Sequence, residues 1–291
     1  MQASRGYAWV LNLDAELEMA EPSYCPQARL LAQLERYGQG ALTLLAPRDV
    51  LLSGMNGSVT GLIGRAWCPT PRALARLATA GVEAEPHPPL EVLRAVNHRK
   101  FAVDLGLGLP GQSYVESRAA LDAQLDRMHM PWLLKRPLAF AGRGQQRIPD
   151  TLDPQQSLWV DASLRRNGLV VEPLVTPTLE VTLHGFIWRD TRHQLGRICV
   201  QAVSERGVFR SIRLMNAGEL SKNEEQALIQ AAHHVAGALV VVGYFGPFGI
   251  DGFRYVLNGE SAFCALSEIN ARYSMGFVTG FPRHPSELKL E

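Results

Sequence analysis

The chain has 291 residues, 46% of them hydrophobic and 20% charged, ordinary globular composition with length for a sizeable core and two or three subdomains. Lys plus Arg number 29 against 28 for Asp plus Glu, a net charge of +1 that lacks the footprint of a nucleic-acid or anionic-membrane binder. Cys25, Cys68, Cys199 and Cys264 are scattered without a Cys-x-x-Cys pair, which argues against a zinc site or a disulfide framework. No window reaches the roughly 18 apolar residues of a membrane span, and no signal peptide is visible at the N-terminus; the expectation is a cytoplasmic protein.

In chain order, residues 7–13 form an apolar, strand-like run, and Asp14, Glu16 and Glu18 then alternate at period two. If extended, those carboxylates share a face that could receive an amine or a cation; an exposed polar edge or loop fits equally well. Residues 26–37 have the apolar spacing of a helix ending at Gly38, and 41–46 look like a short buried strand. A glycine-rich loop at 54–58, a strand at 61–67 and a helix at 71–80 with Pro71 in its first turn complete a β–α–β–α series, the pattern of a small parallel-sheet domain. The prolines at 86, 88 and 89 mark a linker.

Residues 90–105 are helical in pattern and carry Arg99 and Lys100 ahead of Gly106 and Gly108. An apolar strand at 131–137 holds Lys135, and an unpaired buried ammonium is costly, so that lysine needs a partner. A flexible segment follows, containing Gly142, Arg143 and Gly144, able to fold main-chain N–H groups and a guanidinium over phosphates. After a helix at 157–167 comes a strand at 170–175 containing Glu172, Pro173, Leu174 and Val175, with Glu180 beyond it. Strands at 179–188, 194–203 and 207–214 look antiparallel, with Arg197 and Arg213 facing either a cleft or solvent. The longest helix, 221–242, opens on a Ser221–Glu224 capping box, and His233 and His234 inside it are ordinary helix histidines.

Two β-type runs, 248–257 and 262–269, then flank Asn258-Gly259, a strong hairpin signal. Asp251 lies in the first run; Glu268 and Asn270, two apart, share a face of the second, roughly 6–7 Å from each other. Folding the hairpin brings Asp251 alongside them, and three oxygen donors on one wall suit Mg2+, with Mn2+ as an alternative. Arg272 continues the alternation as a cation able to meet a transferring phosphoryl group. Fifteen residues follow Gly276, too few for another catalytic domain.

The run Gly249-x-Asp251-Gly252-Phe253 followed by Glu268-x-Asn270-x-Arg272 resembles the metal-binding strands of the ATP-grasp superfamily of carboxylate–amine ligases. The resemblance spans roughly residues 95–280 and implies an α/β fold in three parts, an N-terminal parallel-sheet domain (1–95) and, within an ATP-grasp domain (96–280), a small central lid at about 112–174 and a C-terminal antiparallel sheet, followed by a tail (281–291). It implies ATP as nucleotide and a divalent cation on Asp251, Glu268 and Asn270. Arg99 or Lys100 would meet the α-phosphate, with Arg99 the better match, and Lys135, Gly142, Arg143 and Gly144 would cover the phosphates. Residues 172–175 would form the adenine hinge, Glu180 would take the ribose, and Lys135 with Arg272 would act on the migrating phosphoryl group. Small-molecule acid and amine substrates follow by the same resemblance, with a homodimer left open. A kinase on this fold and a non-catalytic ATP-binding module are the competing readings.

Overall fold

The computed structural model describes residues 6–21, 23–52, 59–127, 130–139, 143–203, 209–257 and 259–290. The strands β1 (Tyr7–Val10), β2 (Val50–Leu51) and β3 (Ile63–Ala66) form a parallel sheet in the order β2-β1-β3. Parallel neighbours need crossover segments. Helices α1 (Ala15–Ala20) and α2 (Ala28–Ala41) lie between β1 and β2, and α3 (Pro71–Thr79) follows β3. The expected strand at 41–46 is absent: α2 runs on through Gly38 and Gly40 and ends in a tight turn at Leu42–Leu44. Ala41 and Leu44 are three apart and fully buried, so continuing the coil puts both into the core. That gain offsets the roughly 1 kcal/mol that each of the two helical glycines costs. The loop at 54–58 lies outside the described residues.

The single helix expected over 90–105 is two, α4 (Leu90–Asn97) and α5 (Arg99–Asp104). His98 between them is extended (ψ 122°), and its ring nitrogen accepts the Lys100 N–H at 3.3 Å, capping the restart. Without a proline or glycine at the break, composition gave no warning of it.

A second sheet follows, entirely antiparallel, from β4 (Ser113–Val115), β5 (Trp132–Lys135), β6 (Gln145–Ile148) and β7 (Leu169–Pro173), ordered β4-β7-β5-β6. With α6 (Arg118–Leu125) and α7 (Pro154–Leu164) it encloses its own core around Leu121, Trp132, Leu134 and Val160. The third sheet is antiparallel in the order β10-β9-β8-β11-β12, from β8 (Thr176–Ile187), β9 (His193–Val203), β10 (Phe209–Leu214), β11 (Gly246–Leu257) and β12 (Glu260–Asn270). Helix α8 (Lys222–Val241) lies against it, started by the capping box in which Ser221 accepts the Glu224 N–H and Glu224 accepts the Ser221 N–H.

The third sheet shares one core with the N-terminal elements: Trp9, Met19 and Leu93 belong to the same buried cluster as Leu228, Phe248 and Phe277 of the last helix, α9 (Phe277–Gly280). The C-terminal stretch joins it. Leu288 and Leu290 are buried, and Arg65, 1% exposed and paired with Glu85, donates to the carbonyls of Pro285 at 2.5 Å and Leu288 at 2.8 Å.

The β11–β12 ladder pairs Gly249 with Asn270 and Asp251 with Glu268, then shifts so that Phe253 meets Cys264. A β-bulge is a common way to re-aim side chains beside a site. Here it lets Ser267 Oγ donate to the Asp251 carbonyl at 3.1 Å. Gly252 permits it: a Cβ there would lie 2.8 Å from the Cys264 carbonyl and 3.2 Å from Leu228 Cδ1. Leu228 of α8 thus packs directly under the bulge. We predict that Leu228→Ala lowers unfolding free energy by about 2–5 kcal/mol in urea titration; a loss below about 1 kcal/mol would show that α8 does not support this part of the sheet.

Candidate active site

Alternate residues of β8, Glu180, Thr182 and His184, open onto one cleft of about 1130 Å3. Their strand partners set its floor in rows. Glu180 lies opposite Phe253, Thr182 opposite Asp251, which faces Glu268, and His184 opposite Gly249, which faces Asn270. Asp251, Glu268, Asn270 and Arg272 all line the cleft, as the hairpin alternation led us to expect. Asn270 Nδ2 donates to Asp251 Oδ2 at 3.0 Å, and Arg272 Nη2 donates to Asn270 Oδ1 at 2.9 Å.

The two carboxylates titrate in opposite directions. Burial and the neighbouring Glu268 push Asp251 up to about 7, against the Thr182 hydroxyl and Arg272. Glu268 also pays for burial, but Arg99, Lys135 and Arg272 together hold it below the usual carboxylate range. The surroundings thus favour the ionised form of Glu268 and the neutral form of Asp251. Such a pair is short of positive charge, and that deficit fits a divalent cation. Among the described residues no group of three or more His, Cys, Asp and Glu side chains could hold a metal; two carboxylates and an amide are the protein donors on hand. That donor set suits Mg2+, which fills its remaining positions with water and phosphate oxygens.

The cations around the pair arrive already engaged. Arg99 donates to Glu268 Oε1 and to the Arg136 carbonyl, both at 2.7 Å, and its own N–H donates to the Pro137 carbonyl at 3.0 Å. Lys135 is ion-paired with Glu172, whose other oxygen accepts from Gln112 Nε2 at 2.8 Å. Arg272 pairs with Glu16, its guanidinium 5.3 Å above the Trp67 ring.

Other expected residues sort as follows. Lys100 is not in the cleft; it pairs with Asp104 at 2.6 Å on the surface, so of the two candidates Arg99 is the one that faces the site. Gly142 lies outside the described residues, while Arg143 meets Gln33 and is not among the residues lining the cleft. Gly144, at φ 70°, accepts the Arg136 N–H at 2.8 Å next to the cleft residues Ala139 and Gln145. Pro173, Leu174 and Val175 line the cleft beside Glu172, with the Leu174 N–H taken by the Pro131 carbonyl at 2.8 Å. Burial raises the Glu180 carboxyl, and Lys135 opposes that rise. Arg197 and Arg213 are exposed and do not line the cleft; Arg213 is paired with Glu219.

The period-two reading of residues 14–18 is overturned, because Glu16 and Glu18 lie on α1 with Asp14 as its N-cap. Only Glu16 reaches the site residues, through Arg272. Glu18 accepts from the Thr70 hydroxyl at 2.6 Å and the Arg72 N–H at 2.8 Å, and Asp14 accepts from the Tyr24 hydroxyl at 2.9 Å. Thr182, His184 and Ser267 had been overlooked. The first two were visible as the continuation of Glu180 along its strand face, whereas Ser267 depends on the bulge.

Two expectations follow. Removing Glu16 strands a buried guanidinium, so Glu16→Ala should cost about 3–5 kcal/mol, and pairing it with Arg272→Met should recover part of that loss; equal losses in single and double variants would rule out the ion pair as the cause. For Asp251, a folded-state pKa above its unfolded value makes the group's destabilising contribution negligible below about pH 4 and complete above about pH 7. Asp251→Asn should then raise the melting temperature of the metal-free protein at pH 8 and leave it nearly unchanged at pH 4. Identical shifts at both pH values would refute the charge deficit.

No protein-family model and no curated protein matches the chain by sequence. Solved structures match across nearly its whole length. D-alanyl-alanine synthetase A from Vibrio cholerae is 14% identical with TM-score 0.57, over 98% of this chain and 94% of that one. Biotin carboxylase from Campylobacter jejuni, in a beta-gamma-ATP complex, is 12% identical with TM-score 0.59, over 99% of this chain and 68% of that one. N5-carboxyaminoimidazole ribonucleotide synthetase from Thermus thermophilus is 19% identical with TM-score 0.55, over 98% and 79% respectively. At such identities the likeness is one of fold, and with the three sheets and their order it establishes that the chain has the ATP-grasp fold.

Proposed function

We propose that the chain is an ATP-dependent ligase that joins a carboxylic acid to an amine through an acylphosphate. The observation that carries this reading is the charge-deficient pair Asp251–Glu268, set in one cleft with Arg99, Lys135 and Arg272. Attack of a carboxylate on a terminal phosphoryl group brings anions together, and positioning plus electrostatic stabilisation supply nearly all of the catalysis. Bound on Asp251, Glu268 and Asn270, Mg2+ (or Mn2+) would neutralise phosphate oxygens as a Lewis acid.

The chain's own groups divide the remaining work. The 172–175 segment receives the base, with the Glu172 and Pro173 main chain already in the β5–β7 ladder and the Leu174 N–H engaged, and the Glu180 carboxylate accepts from the ribose hydroxyls. Arg99 and Lys135 trade their protein carboxylates for phosphate oxygens, and Arg272 stands at the migrating group. A carboxylate oxygen of the acid bonds to the phosphorus as the bond to the bridging oxygen breaks, and ADP leaves with that electron pair. The amine nitrogen then bonds to the acyl carbon, phosphate departs, and the amine gives its proton to solvent.

The test is incubation with ATP, Mg2+, a pool of carboxylic acids including amino acids, and hydroxylamine. The ligase reading expects ADP together with a hydroxamate, and expects Asp251→Asn and Glu268→Gln each to lower ADP formation by about 10²–10³-fold. ADP with a phosphorylated hydroxyl product would make the chain a kinase, and nucleotide binding without ADP would make it a non-catalytic module. Undiminished turnover in both variants would remove the metal assignment.

A further inference from the structure

His184 stands one row beyond the Asp251–Glu268 pair, on the side away from Glu180, roughly 6–7 Å along the strand. It is 2% exposed, and its Nε2 lies 2.7 Å from Ser274 Oγ. Its Nδ1 is buried with no hydrogen-bond partner. Burial lowers the ring to about 4, so it is neutral near pH 7 and carries one N–H. Three glycines hold it in place: a Cβ at Gly249, Gly276 or Gly280 would come within 3.3, 3.0 or 2.7 Å of ring atoms.

This arrangement selects a tautomer. A proton on Nδ1 would bury a donor with nothing to receive it, and orphaned buried N–H groups are rarer than orphaned acceptors. The proton therefore resides on Nε2 and is donated to Ser274 Oγ. The Ser274 hydroxyl must then send its own hydrogen elsewhere, and Ser274 lines the cleft. The result is a neutral hydroxyl whose hydrogen is left for a ligand in the cleft, one row past the carboxylate pair.

We propose that Ser274 receives the acid substrate, donating its hydroxyl hydrogen to one carboxylate oxygen, and that His184 is the positioning residue that fixes this direction. The inference rests on the ligase reading. A hydrogen bond of about 2.7 Å on one oxygen, with the other oxygen about 3–3.5 Å from the atom it attacks, together span about one row. The acid can thus be held over the His184 row while its free oxygen reaches a phosphoryl group over the Asp251 row. A neutral donor also suits a nucleophile, because it orients the carboxylate without pairing away its charge.

Two measurements decide the matter. Nitrogen-15 NMR of histidine-labelled protein should show His184 neutral and protonated on Nε2 at pH 7; a proton on Nδ1, or a charged ring, overturns the proposal. In the hydroxylamine assay, the acid giving most hydroxamate in a panel of amino acids and short-chain carboxylic acids serves as probe. Ser274→Ala should raise KM for that acid about tenfold more than KM for ATP, the worth of one hydrogen bond to a charged group. Ser274→Thr should restore it, and His184→Gln, which keeps a donor near the Nε2 position, should lie between them. Hydroxamate formation with an unaltered KM for the acid in Ser274→Ala sinks the Ser274 assignment alone. Absence of hydroxamate from every acid with the unaltered protein instead sinks the ligase reading, and this inference with it.

Discussion

Two carboxylates facing each other on adjacent strands are the constraint around which this molecule is arranged. Like charges directly opposite in an antiparallel pair destabilise it, and the β11–β12 register places Asp251 and Glu268 in that relation. The surrounding groups share the burden unequally. Three cations lean on Glu268 and hold it ionised, while Asp251, buried beside it, is left reluctant to ionise. Environments that push two acids apart characterise sites built to meet additional charge. A pair serving only structure would do better as a hydrogen-bonded amide and acid, or as apolar residues of similar volume.

Each nearby cation is drawn from a different part of the chain and is already matched to a carboxylate. Arg99 arrives through the break between α4 and α5 and meets Glu268; Lys135 comes from the second sheet and meets Glu172; Arg272 comes from just beyond β12 and meets Glu16. Burying a charge alone is costly and breaking a buried pair equally so, so an anionic ligand of the kind proposed would enter by exchange, giving each cation a new anion while the released carboxylates would turn to whatever positive charge came with it. The Glu16–Arg272 contact has a second consequence, since it ties the N-terminal helix α1 to the residue two positions beyond the end of β12. Together with the shared core, it sets the N-terminal elements against the site, where Leu13 and Trp67, just beyond β1 and β3, line the cleft.

What the sequence disclosed depended on whether local chemistry or distant partners decided each position. The hairpin, α8 and the parallel sheet followed from turn residues, a capping box and apolar spacing, all local signals. Strand alternation puts Glu268 and Asn270 on one face and the hairpin brings Asp251 near them, but it is the bulge, shifting the register set by the turn, that places Asp251 opposite Glu268. The errors came where contacts far along the chain took over. Glu16 and Glu18 mimic an extended face by their spacing, yet α1 is helical because Arg272, Thr70 and Arg72 supply partners for carboxylates that would otherwise be stranded. Arg99 and Lys100 are neighbours with equal charge, and only the His98 cap determines which of them turns inward. The bulge that exposes Ser267 has no signature beyond Gly252, whose role is evident only from the carbonyls crowding it.

Strand register also explains why the site need not be stabilised separately from the fold. Along β8 the residues facing the cleft, Glu180, Thr182 and His184, alternate with Val181 and Leu183, both buried. On β11 and β12, Ile250 and Ile269 are the buried neighbours of Asp251 and of Glu268 with Asn270. A slip of one residue would send every polar group of the site into the core and every one of these aliphatic side chains into the cleft. Burying a Val, Leu or Ile side chain is worth about 1.5–3 kcal/mol, so four of them resist the slip more strongly than any single contact within the site could. The hydrophobic half of each strand therefore holds the cleft-facing half in register, and substitutions there should disturb the geometry of the cleft without touching anything bound in it.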